Sequence, residues 1–204
     1  MRMCAEKYSR ERWDAMESAL IVSCSEKGAS SLAGILTEAS ISHITTVSNA
    51  GEARRILIEK DFDLCVINAP LPDEFGEILA RNIAARITSQ VILIVRSELF
   101  DEVSSKVEED GVITIAKPIS KPMFWNALKL ASVMHKRISV MKNENRKLIQ
   151  KIEDIRVIDR AKCILISHLS FTEPEAHRYI EKQAMDMRIT RRKVAEEILK
   201  TYEN

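Results

Sequence analysis

Short apolar runs alternate with helical patterns along the first part of the chain. The runs at 20–23, 44–47, 64–68, 91–95 and 112–116 are nearly continuous in apolar residues, as strands buried on both faces of a parallel sheet are. Between them, 28–40, 50–59, 75–86 and 99–110 carry apolar residues at helical spacing. Five βα units of this length predict a flavodoxin-like, doubly wound α/β domain over 19–132. Residues 1–18 form a charged N-terminal extension with Trp13 its most apolar feature.

After the fifth run, Pro122 suits the first turn of a helix, and no Gly or Pro follows until Pro174. One long helix can therefore leave the α/β domain. Along it Ile138, Met141, Asn145, Leu148, Ile152 and Ile155 recur at spacings of three and four. That is a short coiled-coil seam. It predicts a linker helix over 133–158 and a parallel homodimer, with Asn145 at an a position fixing the register. Packing of the stripe on the protein's own domains is the less favoured alternative. The flanks oppose pairing: in a parallel dimer Arg137 faces Lys142 of the second copy, and Lys151 faces Arg156. Such borders suit a seam neutralised by nearby phosphate, or a dimer that is weak alone.

Residues 159–204 read as a small all-α domain of three short helices. Thr172-x-x-Glu175 is a capping box that opens the middle helix, with Pro174 in its first turn and Ala176, Ile180, Ala184 and Met187 as its apolar stripe. Thr190 is an N-cap for the last helix, whose stripe is Val194, Ala195, Ile198, Leu199 and Tyr202. Arg191, Arg192 and Lys193 then fall in its first turn, at the positive end of the helix dipole, where each cation costs about 0.3–1 kcal/mol. A polyanion placed there meets the side chains and the unpaired backbone N–H groups together. Arg178, Lys182, Gln183 and Arg188 stand off the middle stripe and extend this turn into a basic rim. Its one aromatic, Tyr179, can stack on an unpaired base or, more commonly for such a residue, fill the bundle core.

This segment resembles the ANTAR domain, the three-helix RNA-binding module at the C-terminus of certain bacterial antiterminator response regulators. The matching pieces are A-K-x-I-L at 161–165, T-E-P-E-A-H-R-Y-I at 172–180, Q-A-M-D at 183–186 and R-x-x-V-A-E-E-I at 191–198. Cys163 stands where the family usually has glycine. The resemblance implies binding to tandem stem-loops in a nascent mRNA leader, whose stabilisation keeps a competing terminator hairpin from forming. The expected RNA-binding residues are Arg178, Lys182, Arg188, Thr190, Arg191, Arg192 and Lys193, with phosphate contacts supplying affinity and unstacked loop bases specificity. A dimer suits two loops, because the second contact becomes intramolecular.

The α/β part resembles the receiver domain of two-component systems. D-L-C-V-I-N-A-P-L-P-D-E-F-G at 63–76 follows the pattern around the phosphorylated strand, and Lys117-Pro118 the Lys-Pro after the fifth strand. Receivers carry a phosphoacceptor aspartate at the end of the third strand, beside two acidic residues after the first strand that hold Mg²⁺. Those positions here are Asn68, and Ser23 with Cys24; Val95 replaces the hydroxyl residue of the fourth strand, and Lys117 alone survives. An amide cannot form an acyl phosphate, and this set offers Mg²⁺ too few hard oxygen ligands. The expectation is a pseudo-receiver, with Asp63 and Asp73 as surface or capping acids. Such a scaffold is either constitutively active or controlled by a sensor or other regulatory protein that binds it.

Composition narrows the field. With 204 residues, 46% of them hydrophobic, the chain can bury one ordinary core and a smaller one. The formal net charge is only +1, so attraction to a polyanion has to be local. From Lys136 to Lys162 nine basic residues stand against four acidic ones, a local excess of five. Cys4, Cys24, Cys65 and Cys163 are scattered without metal-type spacing and read as reduced, mostly core residues. No apolar stretch has the length of a signal peptide or membrane span, which predicts a soluble cytoplasmic protein. His43, His135, His168 and His177 lack companions for a metal site, and no nucleophile–base pair or phosphate loop is apparent. Neither enzyme activity nor a cofactor is expected. Two other functions compete, a protein-interaction or dimerisation module and a DNA-binding transcriptional regulator. Both stand behind RNA binding because no DNA-reading helix is recognisable and the ANTAR match is specific.

Overall fold

The computed structural model describes residues 16–86 and 89–202. The expectations for Trp13, Cys4 and the rest of residues 1–15 lie outside these. Strands β1 (Ser18–Ser23), β2 (His43–Val47), β3 (Leu64–Asn68), β4 (Gln90–Arg96) and β5 (Ile113–Lys117) pair in parallel in the order β2-β1-β3-β4-β5. Helices α1 (Glu26–Glu38), α2 (Ala50–Glu59), α3 (Glu77–Ala84) and α4 (Phe100–Val107) join them, the last after a 3-10 turn at Ser97–Leu99. This is the doubly wound flavodoxin-like arrangement that the sequence predicts. A long helix α5 (Lys121–Leu169) follows, then α6 (Glu173–Met187) and α7 (Arg191–Tyr202). Among the described residues no helix is long and apolar enough to cross a membrane.

Two compact units divide the chain, one up to Val140 and one from Met141. In the first, the alternation of side chains along each strand sorts the apolar residues into two cores. Leu20, Val22, Cys65, Ile67, Leu93 and Val95 pack under α2, α3 and α4. Ile21, Leu64, Val66, Ile92 and Ile94 pack under α1 and the first turns of α5, where Phe124 and Leu128 are fully buried. Burial of each such side chain contributes about 1.5–3 kcal/mol, so these strands tolerate no polar alternation.

Side-chain caps fix the helices that flank the sheet. The Ser25 hydroxyl accepts from the Gly28 N–H and the Asn49 side chain from the Glu52 N–H. Asp73 also serves α2, accepting from the N–H groups of Ala50 at 3.0 Å and Gly51 at 2.8 Å. Asp63 accepts from the N–H groups of Glu17 and Ser18 and from the Ser18 hydroxyl, which ties the chain entering β1 to the loop before β3.

In the second unit the end of α5 packs with α6 and α7 around Ala161, Leu165, Ala176, Ile180, Ala184, Val194, Ala195 and Ile198. The first of the three predicted short helices is not a separate element. Residues 161–169 are the last turns of α5, because nothing before Ser170, at φ 55°, breaks the helix. Met187 and Tyr202 are exposed rather than on the buried stripes; each is the last residue of its helix. The cysteines also differ from expectation. Cys65 is buried, with burial pushing its thiol pKa up to about 12, whereas Cys24 and Cys163 are exposed. Cys163 therefore does not enter the bundle contact, which Ala161 and Leu165 carry.

Candidate functional site

The turn from α6 to α7 gathers the predicted cations. Arg188 closes α6 in the left-handed conformation, φ 53° and ψ 40°, which is unfavourable for a residue with a Cβ. Its N–H is bonded to the Met185 carbonyl, and the Ile189 N–H to the Ala184 carbonyl, so the end of α6 is satisfied despite the strain. The Thr190 hydroxyl accepts from the Lys193 N–H at 3.3 Å, the predicted N-cap of α7. Arg178 and Lys182, one turn apart on α6, are exposed, as are Arg188, Arg191 and Lys193.

Two of the three cations at the start of α7 are already partnered, a feature the sequence reading missed. Arg191 Nη1 lies 3.0 Å from Glu181 Oε1 on α6. Arg192 is held twice, Nη1 at 2.7 Å from Asp154 Oδ1 on α5 and Nε at 2.7 Å from Glu196 Oε1. The Arg192 guanidinium, followed by a hydrogen bond from Gln150, keeps the Asp154 carboxyl below the usual carboxylate range. These carboxylates offset the unfavourable dipole contact that the sequence alone predicts. Glu196, four residues after Arg192, was visible by its helical spacing; Asp154 and Glu181 come from other helices. Lys182, Arg188 and Lys193 make no ion pair among the described residues. Lys162 is engaged with Asp159 and Glu173, and its bond to Glu173 raises its pKa.

Tyr179 is exposed rather than in the bundle core. Its ring makes a T-shaped contact with Phe171, with centroids 5.7 Å apart. Beside the α6–α7 turn, Glu181, Ala184, Met185, Ile189, Thr190 and Arg191 line a shallow groove.

All six seam residues lie in α5. Met141, Leu148, Ile152 and Ile155 are each more than half exposed, Asn145 is exposed and Ile138 half-buried. Val140 and Ile149 widen the exposed apolar stripe.

At the C-terminal edge of the sheet the structure brings Asn68, Ser23, Cys24 and Lys117 together. Strand register sets Ser23 beside Asn68, and the Asn68 amide donates to the Ser23 hydroxyl at 3.0 Å. Gly28 of α1 presses on this pair: a Cβ there would come within 2.9 Å of the Asn68 amide nitrogen. The Asn68 carbonyl oxygen is buried without a hydrogen-bond partner. Lys117 donates to the Ala69 carbonyl, with burial pushing its pKa down, and the Cys24 thiol lies 3.6 Å from the Pro70 carbonyl. Val95 faces away into the core under α2, α3 and α4. With no carboxylate among them, an amide, a hydroxyl and a thiol do not suit Mg²⁺, which takes carboxylate and water oxygens in an octahedron.

Comparison with known proteins places these features in context. Residues 146–199 match the ANTAR domain family model. The chain is 27% identical over 139 residues to the transcriptional regulatory protein PdtaR of Mycobacterium tuberculosis, covering 68% of each. In structure it is similar to the signal receiver domain of an HD domain-containing protein from Pseudomonas fluorescens Pf-5, at 18% identity and TM-score 0.54, over 63% of this chain and 93% of that one. It is likewise similar to the beryllofluoride-activated NtrC4 receiver domain dimer, at 27% identity and TM-score 0.53, over 59% of this chain and 99% of that one.

Proposed function

Because this chain is an ANTAR response regulator, a receiver domain joined to an ANTAR domain, we propose that it is an RNA-binding transcription antitermination regulator whose receiver does not take up phosphate. Its domains are a pseudo-receiver over 19–132, a linker over 133–158 that pairs two copies through the exposed α5 seam, and an RNA-binding domain over 159–204. The observation that supports this most is the overlap of the ANTAR match with the exposed basic turn at Arg188–Lys193.

The RNA-binding domain takes tandem stem-loops of a nascent transcript and stabilises them against a terminator hairpin. Lys182, Arg188 and Lys193 meet phosphates directly. Arg191 and Arg192 do so by exchanging a carboxylate for a phosphate. The exposed ring of Tyr179 stacks on an unpaired loop base. Dimerisation through Ile138, Met141, Asn145, Leu148, Ile152 and Ile155 presents two such surfaces, so that the second loop binds at raised effective concentration.

In the pseudo-receiver, Asn68 has no oxygen that can form an acyl phosphate, and Ser23 and Cys24 supply no carboxylate for Mg²⁺. Control then comes from a protein bound to this domain, or the regulator works in the cytoplasm without a switch. No reaction is catalysed.

The test is binding of the full chain to a tandem stem-loop transcript, with the Arg191→Ala, Arg192→Ala double variant beside it. The variant should bind more weakly across all loop sequences and with a flatter salt dependence. Affinity and slope equal to those of the unaltered chain would remove this turn as a phosphate site.

A further inference from the structure

The edges of the α5 seam are positively charged. With Ile138, Asn145 and Ile152 at a and Met141, Leu148 and Ile155 at d, the flanking g and e positions are Arg137, Lys142, Glu144, Ile149, Lys151 and Arg156. Each copy thus brings four cations and one acid to the borders. Arg137, Lys142, Lys151 and Arg156 are all exposed, and among the described residues none of their side chains makes a hydrogen bond or ion pair. The acid closest to Arg156 in sequence, Asp154, is taken by Arg192 and Gln150.

Paired helices usually set opposite charges across these borders. Here a parallel pair sets Arg137 against Lys142 and Lys151 against Arg156, once on each side of the two-fold axis. Antiparallel pairing brings no relief, since cations dominate both borders. Apolar burial along the seam favours the pair while its edges repel, and a polyanion lying on those edges would reverse the sign of the second effect.

Building on the reading of this chain as an RNA-binding homodimer, we infer that the borders of the α5 seam form a second RNA-contact site, separate from the α6–α7 turn, which takes the phosphate backbone and tightens the dimer as it does so. RNA binding and dimerisation are thereby linked, each strengthening the other by the same factor. The site has no base selectivity, because it meets phosphates alone.

Sedimentation equilibrium of the full chain without RNA tests the electrostatic premise. Raising sodium chloride from about 0.1 M to about 1 M shortens the screening length from about 10 Å to about 3 Å and should tighten the dimer about tenfold or more. The Lys142→Gln, Lys151→Gln variant, with good helix formers at exposed positions, should dimerise more tightly at low salt and lose this dependence. At low salt, polyuridylate and a two-hairpin RNA should each convert the unaltered chain to dimer. The variant should bind both with a salt slope shallower by up to about 3.6, from four charges removed per dimer at about 0.7–0.9 each. A dimer that is indifferent to salt or weakened by it overturns the inference and leaves the homodimer standing, as does an unchanged slope in the variant. A chain that stays monomeric at every salt, with and without RNA, overturns the homodimer itself. A dimer tightened by salt that binds neither RNA overturns the phosphate site and the RNA-binding reading together.

Discussion

Arg192 and Asp154 are 38 residues apart and joined by a 2.7 Å contact between Nη1 and Oδ1, which fastens α7 to α5 within the second unit. The same guanidinium is the one a phosphate would have to take from its carboxylates. If the chain binds RNA as proposed, affinity and bundle stability draw on this one side chain in opposite directions.

Replacing Asp154 by Asn should raise RNA affinity severalfold, because phosphate then displaces one carboxylate from Arg192, that of Glu196, instead of two, and should lower the melting temperature of the free protein. Fluorescence anisotropy and thermal melts on the same preparations check both. The stability effect carries a pH signature. Arg192 and Gln150 hold the Asp154 carboxyl below its ordinary value. Its stabilisation is therefore complete above the unfolded pKa of about 3.9 and is lost as pH falls through the lower folded value. The difference between variant and unaltered chain should be flat from about pH 5 to about pH 8 and shrink in acid.

Salt dependence should distinguish paired from unpaired cations. Lys182→Gln or Lys193→Gln, each removing two charges per dimer, should reduce the slope of log affinity against log salt by about 1.4–1.8. Arg192→Ala should change it less, since binding through Arg192 sets free two carboxylates that gather counterions. Equal slopes for all three variants would contradict the exchange of carboxylate for phosphate.

Arg188 offers a trade of stability against binding. At φ 53° it occupies a position that suits glycine, and relieving it is worth about 1 kcal/mol. Arg188→Gly should raise the melting temperature while weakening RNA binding. If both fall, the arginine side chain has a structural role that outweighs its backbone strain.

At the sheet edge, Asn68→Asp alone should take up no phosphate from acetyl phosphate and Mg²⁺, because Ser23 and Cys24 still supply no carboxylate. Adding Ser23→Asp and Cys24→Asp should restore Mg²⁺-dependent labelling, read by phosphate-affinity electrophoresis. Labelling of the unaltered chain would refute the pseudo-receiver.

The five strands were legible to within two residues: β1, β3 and β4 are buried on both faces and leave continuous apolar runs, while the more exposed edge strands β2 and β5 still carry β-branched residues between polar turns. The span of α2 was read without error, since Asn49 and the change of pattern at Lys60 mark its ends. Of the three short helices expected over 159–204, the first is instead the end of α5, since no residue breaks that helix before Ser170. The ion pairs of Arg191 and Arg192 show another limit. Glu196 could be found by its i,i+4 spacing, but Asp154 and Glu181 become neighbours of α7 only after three helices have packed around Ala161, Ile180 and Ala195. Ser23 and Asn68 were identified by position, while their mutual hydrogen bond depended on strand register.

The most direct test of the antiterminator reading is binding of the purified full chain, without any phosphodonor, to a transcript carrying tandem stem-loops, compared with loop mutants and duplex DNA at one fixed salt while mass in solution is recorded. Tight binding that depends on the loop bases, by a species with the mass of a dimer, is the predicted result. Equal and weak binding to the transcript, its loop mutants and DNA would contradict it.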